Sequence, residues 1–439
     1  MSPPVVVLVL SMLLGVQPVT TDLYLPALPS IVSGFGSTMP QAQLTLSALL
    51  LAFGISQLFW GPLSDRFGRR PILLVGLAAY TLSAIGAAMA GSMEQLIAWR
   101  TLQGAAMGAG VMGARAIVRD LYAPADSARV MSKALSGLGV IACLSAPIGG
   151  LMNQLVSWRA SLLCLAVFGA ASLALVAWRF EESLAKPNPH ALRPADLARN
   201  WLTISRSPLF WAYALLSTTS YGGLFTFLAA SPFVFITVLK VSPTEYGLLM
   251  FSMSFVYTLG TWFCRRLMAK LGVQRAVQWA GLATLLAGAA MAGLGWLGVQ
   301  SVWAIMLPTY LYMLAHGVHQ PCGQSGAVAG FPSMAGAASA LSGFCMMLAA
   351  FGMGHWLGLR LGTSALPLTN GMGFWAVCIA LTAWVLVRRY GDLNAAPAAA
   401  SSAAIVAPLG DTSASNLVAP LATPLAASAI PTAAHASNV

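Results

Sequence analysis

Gly61-Pro-Leu-Ser-Asp-Arg-Phe-Gly-Arg-Arg-Pro71 is a short, charged, glycine-punctuated turn between two long apolar runs. Asp65, Arg66, Arg69 and Arg70 cluster in it, within a chain that elsewhere avoids charge. The flanking runs, 42–60 and 72–90, each approach the roughly 20 residues that cross a bilayer as a helix. A hairpin of two membrane helices is therefore expected to close here. Arginines gather in loops on the cytoplasmic side of a membrane, which places the turn on that side.

Composition supports the same reading for the whole chain. Of 439 residues, 58% are hydrophobic and only 8% charged, too little polar surface for a soluble protein of this length. Backbone groups find no water in lipid, so spanning segments must be helices or closed barrels. The apolar runs are continuous rather than alternating, which argues against a barrel. An all-α membrane protein follows.

The net charge of +11 orients the chain in the membrane rather than marking a nucleic-acid partner. Cys143, Cys164, Cys264, Cys322, Cys345 and Cys378 sit in or at the ends of apolar runs and form no C-x-x-C pair. They are expected to pack as small apolar residues, with no metal site. No Walker-type loop supports ATP hydrolysis, and nothing suggests an enzyme. The stretch Met1–Val9 lacks a basic leader and is read as the start of the first span.

About twelve spans are expected, near 5–31, 43–62, 72–91, 95–118, 131–153, 159–180, 209–237, 246–267, 275–297, 301–326, 336–359 and 370–390. Their loops alternate in charge. The basic residues from Arg66 to Arg389 fall mostly on one side, and only Arg159, Lys240 and Arg360 on the other, so both termini are expected in the cytoplasm. The domains follow: an N-terminal six-helix bundle over 1–180, a cytoplasmic linker over 181–207, a C-terminal bundle over 208–391 and a disordered tail over 392–439. Gly260 to Gly272, with Arg265 and Arg266, weakly echoes the charged turn of the first half. Such internal duplication places a substrate site between the halves near midplane.

Asp22 is the carboxylate that lies well inside an apolar run, within Thr20-Thr-Asp-Leu-Tyr-Leu-Pro-Ala-Leu-Pro29. A charge at that depth costs roughly 2.5–3.5 kcal/mol on insertion scales, so its protonated form is favoured and a functional role is expected. Arg100 is the matching cation, in Trp99-Arg-Thr-Leu-Gln-Gly104. At 1.5 Å per residue the two lie about 14 and 8 Å from the outer ends of their spans, depths compatible with direct or water-mediated coupling. Arg115, Arg119 and Asp120 end the fourth span, with the two arginines on one helix face. His316, Gln320 and Gln324 share a face of the tenth span, beside His319. Candidate substrate contacts are Tyr24, Gln103, Tyr221, Phe225, Tyr257, His316, His319 and Gln320, with Phe227 a further cavity aromatic.

The pattern G-x-L-x-D-R-x-G-R-R in 61–70 resembles the loop between helices 2 and 3 of the major facilitator superfamily. R-x-x-Q-G, matched by Arg100, Gln103 and Gly104, resembles the fourth-helix motif of its proton-coupled antiporters. Ala146-Pro-Ile-Gly-Gly150 resembles their fifth-helix motif and keeps Pro147, Gly149 and Gly150, with Ala146 and Leu151 replacing its outer glycines. T-D-L-Y-L-P-A-L-P and I-V-R-D-L-Y resemble the bicyclomycin/chloramphenicol resistance branch. The resemblance covers nearly all of Met1–Asp392 and implies twelve helices in two six-helix repeats. It implies a monomer in a bacterial inner membrane, exporting small drugs against inward protons, with the proton gradient as energy source and no cofactor. Asp22 and Arg100 would couple the proton. Gly61, Asp65, Arg66, Gly68, Arg69, Arg70, Arg119 and Asp120 would form a conformational latch, with Asp120 joining the arginines in a charge relay. Asp65 would face the start of span 11, Ser333–Ser339. A proton-coupled metabolite transporter, or a sensor that transports nothing, is compatible with the same fold.

Overall fold

Every regular element among the described residues is helical. The computed structural model describes residues 3–122, 124–362 and 364–392, with side chains for all but 124–129 and Ser333. The helices of the first half are α1 (Pro3–Asp22), α2 (Leu28–Phe35), α3 (Met39–Phe67), α4 (Arg69–Ala88), α5 (Met93–Leu121), α6 (Pro124–Leu155) and α7 (Trp158–Arg179). There follow α8 (Pro194–Ser205), α9 (Pro208–Pro232), α10 (Pro243–Trp296), α11 (Val302–Ala329), α12 (Ala335–Arg360) and α13 (Leu366–Leu381).

Local sequence sets many of the boundaries. Thr38 with Gln41, and Ser242 with Glu245, form capping boxes at the starts of α3 and α10. Ser92, Ser157 and Ser207 each accept a backbone N–H of the first turn of α5, α7 and α9. Prolines at the first positions of α3, α9 and α10 cost no hydrogen bond there.

Nine helical segments among the described residues are long and apolar enough to cross a membrane. The difference from the expected twelve has a physical cause. The helices α5 and α11 are 29 and 28 residues long but carry buried polar groups, including Arg100, Gln103, His316 and His319, and fall outside that number. The helix α10 runs for 54 residues, about 80 Å at 1.5 Å per residue, far beyond one bilayer crossing. It is broken at Gly272, whose φ of 75° and ψ of 167° leave the helical region. Gly68, between α3 and α4, holds nearly the same conformation at φ 99° and ψ 157°. The echo between the halves is thus a shared backbone break as well as a shared run of arginines.

The halves meet along α3 against α12 and α6 against α10. The stretch between α7 and α9, expected as a cytoplasmic linker over 181–207, holds the helix α8. Apart from Asp392, the expected tail over 392–439 lies outside the described residues.

Candidate functional site

Two of the largest fully buried side chains are arginines, Arg69 and Arg100. Burying a cation is costly unless it is paired and hydrogen-bonded, so the surroundings of each define a site.

Arg69 sits at the start of α4 and is only 1% exposed. Its Nη1 lies 2.7 Å from Asp65 Oδ1 and its Nε 2.8 Å from Asp120 Oδ2. Nη1 also donates to Ser64 Oγ at 2.6 Å. Arg119 bridges the same two carboxylates more loosely, at 3.6 and 3.9 Å. The relay among Asp65, Arg69, Arg119 and Asp120 is therefore one connected cluster joining α3, α4 and α5. Asp65, expected to face the start of the eleventh span, is paired with both arginines. Arg119 approaches that helix, where a Cβ on Gly336 would lie 3.7 Å from its Nη1, and Arg115 bonds to the same helix at Ser339. Arg66 is exposed, with its guanidinium 5.3 Å from the Phe67 ring, and stands apart from the cluster, whereas the Gly61 carbonyl accepts at 2.9 Å from the Ser64 hydroxyl that Arg69 holds.

Glu182, just beyond α7, completes the arrangement. Its Oε1 accepts from the backbone N of Arg69 at 2.9 Å and its Oε2 from that of Arg70 at 3.1 Å. A carboxylate thus caps the positive end of α4. Burial alone would raise its pKa, but backbone donors from Leu184, Arg69, Arg70 and Ser183 together hold it below the ordinary carboxylate value. Gly68 is required twice over. Its φ is positive, and a Cβ would come 2.6 Å from Glu182 Oε2. The following segment docks as well, with Asn188 N donating to the backbone oxygen of Asp65 at 2.9 Å, and Arg70 Nη2 donates to that of Ala177 in α7 at 2.9 Å. Sequence reasoning missed Glu182; the available signal was an acidic pair, Glu181-Glu182, beside a basic turn.

Arg100 sits where α1 breaks. In a continuous helix the Thr20 carbonyl would accept from Tyr24 N, but Tyr24 N turns to Thr21 O at 3.2 Å. Arg100 Nη2 takes the vacated Thr20 oxygen at 3.1 Å, and Nη1 donates to Gln103 Oε1 at 2.8 Å. The guanidinium lies 4.1 Å from the Tyr24 ring centroid, and Tyr24 Oη is bonded to Thr45 Oγ1 at 2.7 Å. Arg100 and Asp22 form no ion pair among the described residues. Asp22 Oδ1 accepts from Thr21 Oγ1 at 2.8 Å. The carboxylate is only half-buried, and Tyr221 and Tyr246 of the second half lie within reach of its charge.

A cavity of about 60 Å³ opens between the halves. The first half contributes Gln17, Phe53, Gln57 and Arg115 to its wall. The second contributes Gln324, Ser339, Met346 and Met347. None of the eight expected substrate contacts lines it. Tyr24, Gln103, Phe225 and His319 are fully enclosed. His316 Nδ1 is 2.8 Å from Ser220 Oγ, with its ring stacked on Tyr312 and tilted against Tyr257. Gln320 Nε2 donates to Ser217 O at 3.1 Å, and Gln324, its neighbour on the same face, reaches the cavity. No group of three or more His, Cys, Asp or Glu among the described residues is placed to hold a metal. Cys264 and Cys322 are free thiols 3.9 Å apart.

At the end of the bundle opposite the Arg69 cluster, the glycines of α6 allow backbone to touch backbone. A Cβ on Gly149 would collide with the carbonyl of Leu23, just past Asp22, and one on Gly150 with that of Pro243 at the start of α10. Gly247 returns the contact on Ala146 and Pro147. The fifth-helix motif thus lies where the two halves press together.

A bundle of apolar helices in two halves, with a charge cluster at one end, a glycine contact between the halves at the other and a cavity between them, has the build of a membrane transporter. Residues 10–354 match the Major Facilitator Superfamily, and the chain belongs to that family; it is a transporter rather than an enzyme. It is 32% identical over 343 residues to multidrug resistance protein D of Escherichia coli (strain K12), covering 76% of this chain and 84% of that protein. It is 31% identical over 329 residues to a chloramphenicol resistance protein of Pseudomonas aeruginosa, covering 74% and 76%. A bicyclomycin resistance protein homolog of Haemophilus influenzae is 28% identical over 390 residues, covering 87% and 96%. In fold, the chain superposes on the xylose transporter of E. coli in its inward open conformation with a TM-score of 0.71 at 14% identity, over 88% of this chain and 96% of that one.

Proposed function

We propose that this protein exports small drugs of the chloramphenicol or bicyclomycin kind across a bacterial inner membrane in exchange for protons. The basic end of the bundle, with both termini, faces the cytoplasm. The observation that carries the reading is the placement of Asp22: a half-buried carboxylate at the break of a membrane helix, bonded to the neighbouring Thr21 hydroxyl and, among the described residues, in no ion pair with an arginine. Such a group loses and regains a proton without dismantling an ion pair. The names of the relatives, which carry resistance to chloramphenicol, bicyclomycin and multiple drugs, support drugs as the cargo.

In this mechanism a proton on Asp22 and a drug between the halves are alternative loads. The transporter changes state when one of them is bound, because each load stabilises one arrangement relative to the other. The Arg69 cluster with Arg119 over Gly336 holds the cytoplasmic end, and the Gly149–Gly150 contact with Leu23 and Pro243 the outer end. Each must open in turn. Arg100 positions rather than pairs: by holding the Thr20 carbonyl it keeps the break that exposes Asp22.

The test is drug susceptibility and efflux in a host lacking its own pumps, with and without a protonophore. Raised resistance with protonophore-sensitive efflux is the expected result. Unchanged susceptibility, or efflux indifferent to the protonophore, would count against drug export or proton coupling respectively.

A further inference from the structure

We propose that Arg115 reads the charge of the cargo. It selects neutral or anionic amphiphiles that present an oxygen acceptor, such as a nitro, carboxylate or sulfonate group, and disfavours organic cations. The inference rests on the reading of the protein as a drug carrier but not on the direction or coupling of transport.

Arg115 differs from the buried Arg69 and Arg100 and from the exposed Arg119. Arg69 and Arg119 have Asp65 and Asp120, and Arg100 is spent on Thr20, Gln103 and the Tyr24 ring. Arg115 lines the cavity between the halves, and no carboxylate lies within ion-pair distance of it among the described residues. Its Nη1 donates at 2.6 Å to Ser339 Oγ, a neutral group on the opposite half. A guanidinium carries five N–H donors in a planar fork, suited to paired oxygen acceptors.

The rest of the wall fits the same cargo. Gln17, Gln57 and Gln324 bring neutral amides, Phe53, Met346 and Met347 supply adaptable apolar surface, and among the described residues none that lines the cavity is acidic. At about 60 Å³ it is too small for a drug, which needs about 300 Å³ or more. Cargo therefore enters when α5 and α12 part, and that movement breaks the Arg115–Ser339 bond and frees the fork. Asp22 does not line this cavity, so the charge of the cargo is read apart from it.

The experiment measures binding to the purified protein of three probes: chloramphenicol, the 8-anilinonaphthalene-1-sulfonate anion and the tetraphenylphosphonium cation. The wild type is expected to bind the first two at least tenfold more tightly than the cation. Arg115→Gln should bring that ratio close to one, and Arg115→Lys should keep most of it. Ser339→Asp sets a carboxylate beside the guanidinium without leaving it unpaired, and should also abolish the preference; it serves should Arg115→Gln fail to fold. Equal binding of cation and anion by the wild type, an unchanged ratio in Arg115→Gln or Ser339→Asp, or binding of none of the probes overturns the inference. Binding preference with no protonophore-sensitive efflux would instead sink the export reading and leave the role of Arg115 standing.

Discussion

Arg100 donates to the backbone oxygen of Thr20 at 3.1 Å and makes no ion pair with Asp22, two residues further along α1. The arginine satisfies a carbonyl that the broken helix has released, at the negative end of that helix. Its charge is spread over a carbonyl, an amide and an aromatic face instead of being cancelled by an acid.

The first prediction concerns that arrangement. Arg100→Ala leaves the Thr20 carbonyl and the Gln103 amide without a partner in a closed interior, at about 1–3 kcal/mol for each unsatisfied group. The purified protein should melt at lower temperature. Arg100→Lys, which holds the carbonyl but lacks the planar fork, should fall between. A melting temperature for Arg100→Ala equal to the wild type would show that the break in α1 does not depend on the arginine.

Much of this was legible in the residues, and the limits are instructive. The turn at 61–71 identifies the fold because charge in a membrane chain is costly and therefore meaningful. Asp22 and Arg100 stand out for the same reason, but one-dimensional depth does not say which way a side chain points. Two groups at similar depth on helices α1 and α5 meet only if both face the shared seam. Pro26 reveals that α1 will break; which carbonyl is freed, and which donor takes it, depends on packing. Glu182 was hidden because its partners are backbone amides, which leave no trace in the pattern of side chains. The substrate candidates were chosen as aromatics and polar groups in apolar spans, a pattern that enclosed packing residues such as Tyr24 and Phe225 share.

The second prediction tests the proton carrier. Asp22→Asn keeps the shape and the bond to Thr21 but cannot release a proton. It should retain drug binding and lose active efflux, while Asp22→Glu keeps partial activity. The measurement is proton release on drug addition to purified protein, followed by efflux from proteoliposomes under an imposed pH gradient. If Asp22→Asn still concentrates drug against its gradient, another residue carries the proton.

The third prediction follows from the cap on α4. Glu182→Gln removes a charge from a helix N-terminus, worth about 0.5–1 kcal/mol, and loosens the loop that holds Arg69. Exchange between states should slow, as it should in Asp65→Asn, with insertion intact. The pH dependence has a definite sign. The folded carboxyl titrates below the ordinary glutamate value of about 4.3, so its stabilisation is present above that pH and is lost as pH falls through the lower folded value. As pH falls below the ordinary glutamate value and through the lower folded one, wild type should lose stability faster than Glu182→Gln. Parallel acid melting curves for the two proteins would rule the cap out as a contributor.

The fourth prediction compares two glycines eleven residues apart on one helix, α6. Gly150 has the carbonyl of Pro243 where a Cβ would stand, and Gly139 has nothing within 4 Å. Neither has a positive φ, so the backbone itself tolerates alanine at both. Gly139→Ala should insert and transport as the wild type does, with a gain of about 0.5–1 kcal/mol in helix stability. Gly150→Ala can be accommodated only by backing α6 away from α10, because a backbone carbonyl cannot swing aside as a flexible side chain does. The outer end of the bundle would then fail to close, and transport should drop by an order of magnitude or more while the protein still reaches the membrane. Quantified protein in the membrane fraction separates this from misfolding, and efflux rates read the effect. Equal efflux from the two variants would mean that the tight contact at Gly150 has no part in the cycle. Restoration of Gly150→Ala by a second change that shortens the opposing surface is not available, since Pro243 presents backbone, so a single-site loss of transport at Gly150 beside full activity at Gly139 is the pattern that the contact between α6 and α10 requires.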